Sequence, residues 1–193
     1  MKKLTILSTT LLSSALILSA CSSTSDKKEE TNKQTATSST SENKAIQAFD
    51  FTAMDKDGKT VKLSDFKGKK ILVYFYPKAL TPGCTTQACG LRDAKSELEK
   101  LGVVILGIST DSPKKLAQFV EKKSLNFTLL SDEDHQVAEQ FGVWGEKKFM
   151  GRTYDGIHRI SFLIDEQGKI LHVFDKFKTG EHHQVVLDYL HSL

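Results

Sequence analysis

"KILVYFYPKALTPGCTTQACG", residues 70–90, holds a strand, a turn and the start of a helix in one unbroken run. Lys70 to Pro77 is apolar, β-branched and aromatic almost without interruption, as expected of a strand buried on both faces. Thr81-Pro82-Gly83 breaks that pattern. Beyond it Leu91, Ala94, Leu98 and Leu101 recur at helical spacing, which predicts an amphipathic helix from about Thr85 to Leu101 closed by Gly102. Further along, "VVILGIST" repeats the buried-strand pattern, and Asp111-Ser112-Pro113 offers a cap and a first-turn proline for a helix through about Lys123. "NFTLLSD", a helix around His135 to Phe141, a hairpin formed by "RISFLID" and "ILHVFDKF", and a closing helix from Glu181 complete the series. A short hairpin turning at Asp57-Gly58 precedes it all. This alternation predicts one α/β domain over residues 46–193, a mixed central sheet with helices on both faces.

Two of the three cysteines, Cys84 and Cys89, lie in the opening stretch. Cys84 follows a buried strand and a tight turn where a helix begins, and there the free backbone N–H groups and the helix dipole favour thiolate. Cys89 comes five residues later. In an intact helix that spacing puts the Cα atoms roughly 8 to 9 Å apart, beyond the ~7 Å a disulfide tolerates. A bond between them requires the first turns to unwind, which favours a redox cycle over a permanent staple. A fixed bridge over an irregular segment remains the alternative. A thioredoxin-type exchanger uses Cys-x-x-Cys, whereas four residues intervene here.

The N-terminus is of another kind. Lys2 and Lys3, an apolar run from Leu4 to Leu18, and Leu18-Ser19-Ala20-Cys21 have the three parts of a secretory signal, too short for a lasting membrane span. Leu-Ser-Ala-Cys also resembles the lipobox of bacterial lipoproteins, which implies cleavage after residue 20 and a lipid on Cys21. Residues 21–45 then read as a disordered tether of roughly 25 to 30 Å, because they hold almost nothing to bury. The expected location is the exported, periplasmic side of a bacterial membrane. The net charge of +3, without a basic stripe and interleaved aromatics, argues against nucleic acid as a partner.

"Pro77-Lys78-Ala79-Leu80-Thr81-Pro82-Gly83-Cys84" resembles the Pro-x-x-x-Thr-x-x-Cys signature of the peroxiredoxins. The Thr-Pro-Gly-Cys-Thr and Ala-Cys pattern, with "FGVWGEKKFMGRTYDG" and "GRTYDGIHRISFLID", is similar to the bacterioferritin comigratory protein, or peroxiredoxin Q, branch over about Phe49 to Leu193. The segment at Gln47-Ala48-Phe49-Asp50 lacks the branch's proline. The resemblance implies a thioredoxin-like fold and a thiol-dependent peroxidase acting on hydrogen peroxide and organic hydroperoxides. It assigns Cys84 as the attacking cysteine and Cys89 as the one that condenses with its sulfenic acid, with a thioredoxin-like dithiol as reductant. Thr81, Gly83, Cys84 and Arg159 would bind the peroxide, Pro82 would shield the sulfur and fix the turn, Arg159 would supply the cation, and Pro77, first residue of the signature, would count with Pro82 among the catalytic residues. An intramolecular partner cysteine removes the need for a dimer, so a monomer is expected.

No metal or other cofactor is implied. His158 and the His182-His183 pair lack the spacing of a closed metal site. Arg92 reads as a surface residue pairing with Asp93 or Glu97, Lys114, Lys115, Lys122 and Lys123 as a solvated helix face, and Trp144 as either a site neighbour or a loop filler. Two other functions compete: a periplasmic thiol-disulfide exchange protein, and an inactive redoxin-fold lipoprotein scaffold.

Overall fold

The structure is a computed structural model that describes residues 46–193. The signal, Cys21 and the tether lie outside the described residues. Strands β1 (Thr52–Asp55) and β2 (Thr60–Lys62) form the expected hairpin, and a short 3-10 turn, Leu63–Phe66, follows. Then come β3 (Lys70–Phe75), α1 (Pro82–Lys100), β4 (Val103–Ser109), α2 (Pro113–Lys123), β5 (Thr128–Ser131) and α3 (Gln136–Gln140). Strands β6 (Trp144–Phe149), β7 (Arg152–Ile157), β8 (Ser161–Ile164) and β9 (Ile170–Phe174) precede the last helix, α4 (His182–His191).

Seven strands make one sheet in the order β2-β1-β5-β4-β3-β8-β9. β3 pairs in parallel with β4 and antiparallel with β8, so the sheet is mixed as its sequence pattern requires. Alternate residues of β3 divide the core. Leu72 and Tyr74 belong to a cluster with Leu91 and Leu98 of α1, Leu116 and Phe119 of α2, and Val186, Leu187 and Leu190 of α4. Ile71, Val73 and Phe75 face a second cluster with Val137 and Ala138 of α3 and Leu63 of the 3-10 turn. Complete burial of Leu72, Val73, Tyr74 and Phe75 is what makes the run legible as an inner strand. β4 passes so close to β3 that a Cβ on Gly107 would lie 2.6 Å from Tyr74 Cε1 and 2.7 Å from Leu129 Cδ2.

Two sequence expectations need correction. α1 begins at Pro82, not Thr85, because proline's fixed φ and missing N–H suit the first helical position. Cys84 is therefore inside the first turn. The segment from Trp144 to Ile157 is a separate two-stranded hairpin, β6-β7, for which no strands were predicted. Arg152, Thr153, Tyr154 and Asp155 are all exposed, so no apolar alternation marks β7. Its two-residue turn, Met150-Gly151, takes positive φ at both positions, as tight hairpins require.

Candidate active site

The site forms where β3 ends and α1 begins. After Tyr76 the chain turns through Pro77 to Thr81; the Ala79 N–H donates to Asp111 Oδ2 at 2.6 Å, and the Thr81 hydroxyl donates to Lys78 O at 2.9 Å. Leu80 adopts φ 66°, a left-handed conformation costly for a branched residue, so those two bonds hold a strained turn. Thr81 is the N-cap residue of α1 and its carbonyl accepts from the Thr85 N–H at 2.8 Å. Pro77 is half-buried at the end of β3, and Pro82 is exposed at the first helical position.

Cys84 is 2% exposed and packs in the first core cluster with Ala79 and Ala88. Arg159, in the turn leading into β8, reaches it from the sheet: its Nη2 donates to Cys84 Sγ at 3.3 Å. The same guanidinium lies over the helix start, since a Cβ on Gly83 would sit 3.7 Å from Arg159 Nη2. A cation and the positive end of a helix thus meet at one buried sulfur, an arrangement suited to an anion or an oxyanion leaving group. Cys89 is half-buried in the same unbroken helix, and both thiols are free.

Three participants escaped the sequence reading. Gln87, one helical turn after Cys84, is fully buried and accepts from Arg159 Nη1 through its side-chain carbonyl. The i,i+3 spacing was a usable signal for that position. His182, weighed only as a metal ligand, is fully buried on α4 with Nδ1 3.0 Å from Gln87 Nε2. Its pKa is pushed down to about 3, mainly by burial and then by the Arg159 and His183 charges. Nothing in the sequence connects residues 95 positions apart. Lys147 of β6 donates to Ile157 O at 2.7 Å, and burial, followed by the nearby Arg159, holds it below the usual lysine range. Tyr74 under the site is pushed up, chiefly by burial.

The remaining candidates fall elsewhere. Arg92 pairs with Asp93 at 2.8 Å, as expected, and also donates to Lys123 O at 2.6 Å, closing the end of α2. Trp144 stacks on the His135 ring with centroids 4.3 Å apart. Among the described residues no three His, Cys, Asp or Glu side chains group to hold a metal ion, and no helix is long and apolar enough to cross a membrane.

The model of the AhpC/TSA family matches residues 45–173. The chain is a peroxiredoxin of the bacterioferritin comigratory protein branch. It is 76% identical over 147 residues to the bcp protein of Haemophilus influenzae, covering 76% of this chain and 95% of that one. It is 71% identical over 140 residues to peroxiredoxin Bcp of Escherichia coli, covering 72% and 90%. Among solved structures, the bacterioferritin comigratory protein of Xanthomonas campestris, studied for alkyl peroxide reduction, is similar with a TM-score of 0.70 and 34% identity, covering 75% of this chain and 92% of that one. This peroxiredoxin is accordingly a thiol-dependent peroxidase with the thioredoxin fold. Peroxide substrates and a thioredoxin-type reductant come with that membership.

Proposed function

We propose that Cys84 is the peroxidatic and Cys89 the resolving cysteine of an exported, lipid-anchored, monomeric peroxidase that reduces hydrogen peroxide and alkyl hydroperoxides. The observation that carries the assignment is the Cys84 sulfur, 2% exposed with the Arg159 guanidinium 3.3 Å away. A sulfur so enclosed is open to a small oxidant and closed to a bulky disulfide, which favours a peroxidase over a thiol-disulfide exchange protein. A scaffold has no use for a half-buried cation held on a buried thiol, because such an arrangement costs desolvation without a compensating carboxylate.

In the first step the Cys84 thiolate attacks one peroxide oxygen in line. An S–O bond forms, the O–O bond breaks, and the leaving hydroxide or alkoxide takes up, through solvent, the proton released when the Cys84 thiol ionised and departs as water or alcohol. The sulfur, oxidised by two electrons, becomes a sulfenic acid. Arg159 and the N–H groups at the start of α1 stabilise charge on the leaving oxygen, and Thr81 with Gly83 orients the peroxide. The Cys89 thiolate then attacks Cys84 Sγ, an S–S bond forms as the S–O bond breaks, and the expelled hydroxide takes up, through solvent, the proton lost by the Cys89 thiol and leaves as water. A thioredoxin-like dithiol returns both thiols by exchange and is itself oxidised.

The decisive test mixes the reduced protein with peroxide and a dithiol. Cys84→Ser should abolish peroxide loss, whereas Cys89→Ser should consume about one equivalent and stall. Native protein that leaves peroxide untouched while its thiols are reduced would overturn the assignment. Cys21 lipidation rests on the signal-like sequence before it. Membrane fractionation with a labelled fatty acid tests it, and unlipidated protein in the soluble cytoplasmic fraction would refute it.

A further inference from the structure

We propose that His182 is a positioning residue of the peroxidase site: from α4 it fixes the side-chain amide of Gln87, so that Gln87 presents its carbonyl oxygen to Arg159 and Arg159 presents Nη2 to Cys84. The inference rests on the assignment of Cys84 as the reacting thiol.

The chain of contacts decides its own polarity. Arginine has only donors, so the Gln87 atom that meets Arg159 Nη1 must be Oε1. The other Gln87 atom, 3.0 Å from His182 Nδ1, is then the Nε2 amide nitrogen, which can only donate. His182 Nδ1 must therefore be unprotonated, and its proton sits on Nε2. An imidazolium would place N–H against N–H at His182. Relieving that by turning the amide would place N–H against N–H at Arg159 instead, so the relay works only with neutral His182.

The surroundings keep the ring in that state and in that plane. Phe177 stacks on it with centroids 4.2 Å apart, Tyr74 of β3 lies 6.1 Å away and Phe174 of β9 lies 6.5 Å away. The charged or titratable groups that act on it are Arg159, His183 beside it on α4, and Tyr74; among the described residues no carboxylate bonds to it. Its Nε2 is buried without a hydrogen-bond partner among the described residues, a cost that a leucine filling the same space would not carry. What the imidazole supplies in return is the one acceptor that orients Gln87.

His183 reinforces the placement. It packs so tightly on α1 that a Cβ on Gly90 would lie 2.6 Å from its Nδ1, which sets the register of α4 against the helix bearing Cys84 and Gln87.

The test uses the full chain, with His182→Leu, which fills the space without an acceptor, and His182→Asn, whose Oδ1 occupies the acceptor position. The rate of the first reaction with hydrogen peroxide is followed from pH 5 to 9, with circular dichroism as the check on folding. His182→Leu should slow the reaction by about tenfold, the worth of the oriented bond between Gln87 and the Arg159 cation that loses its support, and move the pH midpoint of the rate upward. His182→Asn should restore both to within about threefold. Nitrogen NMR of the native, reduced protein gives a readout independent of activity and of any variant: at pH 7 the His182 ring should carry its proton on Nε2. An Nδ1–H tautomer or an imidazolium overturns the proposal. So do native rates and midpoints in both variants, or equal losses in both with the fold intact. A native protein inert to peroxide would instead remove the Cys84 assignment, and this proposal with it.

Discussion

If Cys84 and Cys89 join as proposed, α1 cannot survive as it stands with both thiols free. Both cysteines lie within one continuous helix, Pro82–Lys100. Five helical residues rise about 7.5 Å and turn about 140°, which puts the Cα atoms about 8.7 Å apart, whereas a disulfide allows no more than ~7 Å. Closing that gap means unwinding at least the residues between the two sulfurs, together with the turn that leads into them. If residues 82–89 leave the helix, the amides of residues 85–93, about nine in all, lose the carbonyl acceptors four positions earlier. Gln87 and Ala88, both fully buried, must leave their packing, and the Gln87 bonds to Arg159 and His182 break. Hydrogen-deuterium exchange read by mass spectrometry should show those amides going from protected to exchanging within seconds on oxidation, while Leu98 and its neighbours toward the end of α1 stay protected. Cys89→Ser treated with one equivalent of peroxide is the control and should keep its protection. Equal protection over residues 85–93 in the reduced and disulfide states would refute the reasoning.

Acid should weaken the fold through His182. Burial depresses its native pKa to about 3, below the ordinary histidine value of about 6.5, so the unfolded chain takes up the proton first. Its contribution is complete above about pH 6.5 and is lost as pH falls toward 3, amounting to about 2 kcal/mol between pH 7.5 and 5. Urea unfolding of native protein and His182→Leu at both pH values isolates it; an identical pH dependence in the two proteins contradicts it. Arg159→Leu removes the side-chain donor on Cys84 Sγ and should slow the first peroxide reaction by about 10² to 10³, as measured by stopped flow. Gly107→Ala should destabilise by about 1 to 3 kcal/mol in urea unfolding, since its Cβ would overlap Tyr74 and Leu129 in the sheet interior.

Much of the fold could be read in sequence because its signals are local. The inner strands are continuous apolar runs, α1 carries leucines at helical spacing, and Asp57-Gly58 marks a tight turn. The β6-β7 hairpin escaped because it is a sheet of its own and exposes most of β7, so that burial at its base, Ile157 with Trp144 packed against the same core cluster, leaves no apolar alternation along the strand. The onset of α1 was set three residues late because the turn Thr-Pro-Gly reads as a breaker, whereas Pro82 and Gly83 are already helical.

For the site, sequence alone determined the two cysteines, their impossible spacing for a bond within an intact helix, and the strand-turn-helix that brings Cys84 to a helix start. Those properties depend on neighbours within a few residues, which sequence displays. Arg159 came into the reading only through the family motif. The tertiary structure decided that its guanidinium contacts Cys84 Sγ, that the sulfur is buried, and that Gln87 and His182 stand behind the guanidinium in a line. Packing of α4 against α1 and the position of the turn before β8 create those contacts, between residues 72 to 95 positions apart. No periodicity or local propensity encodes a distance of that kind. It arises only when the sheet orders β3 beside β8 and the core closes over both.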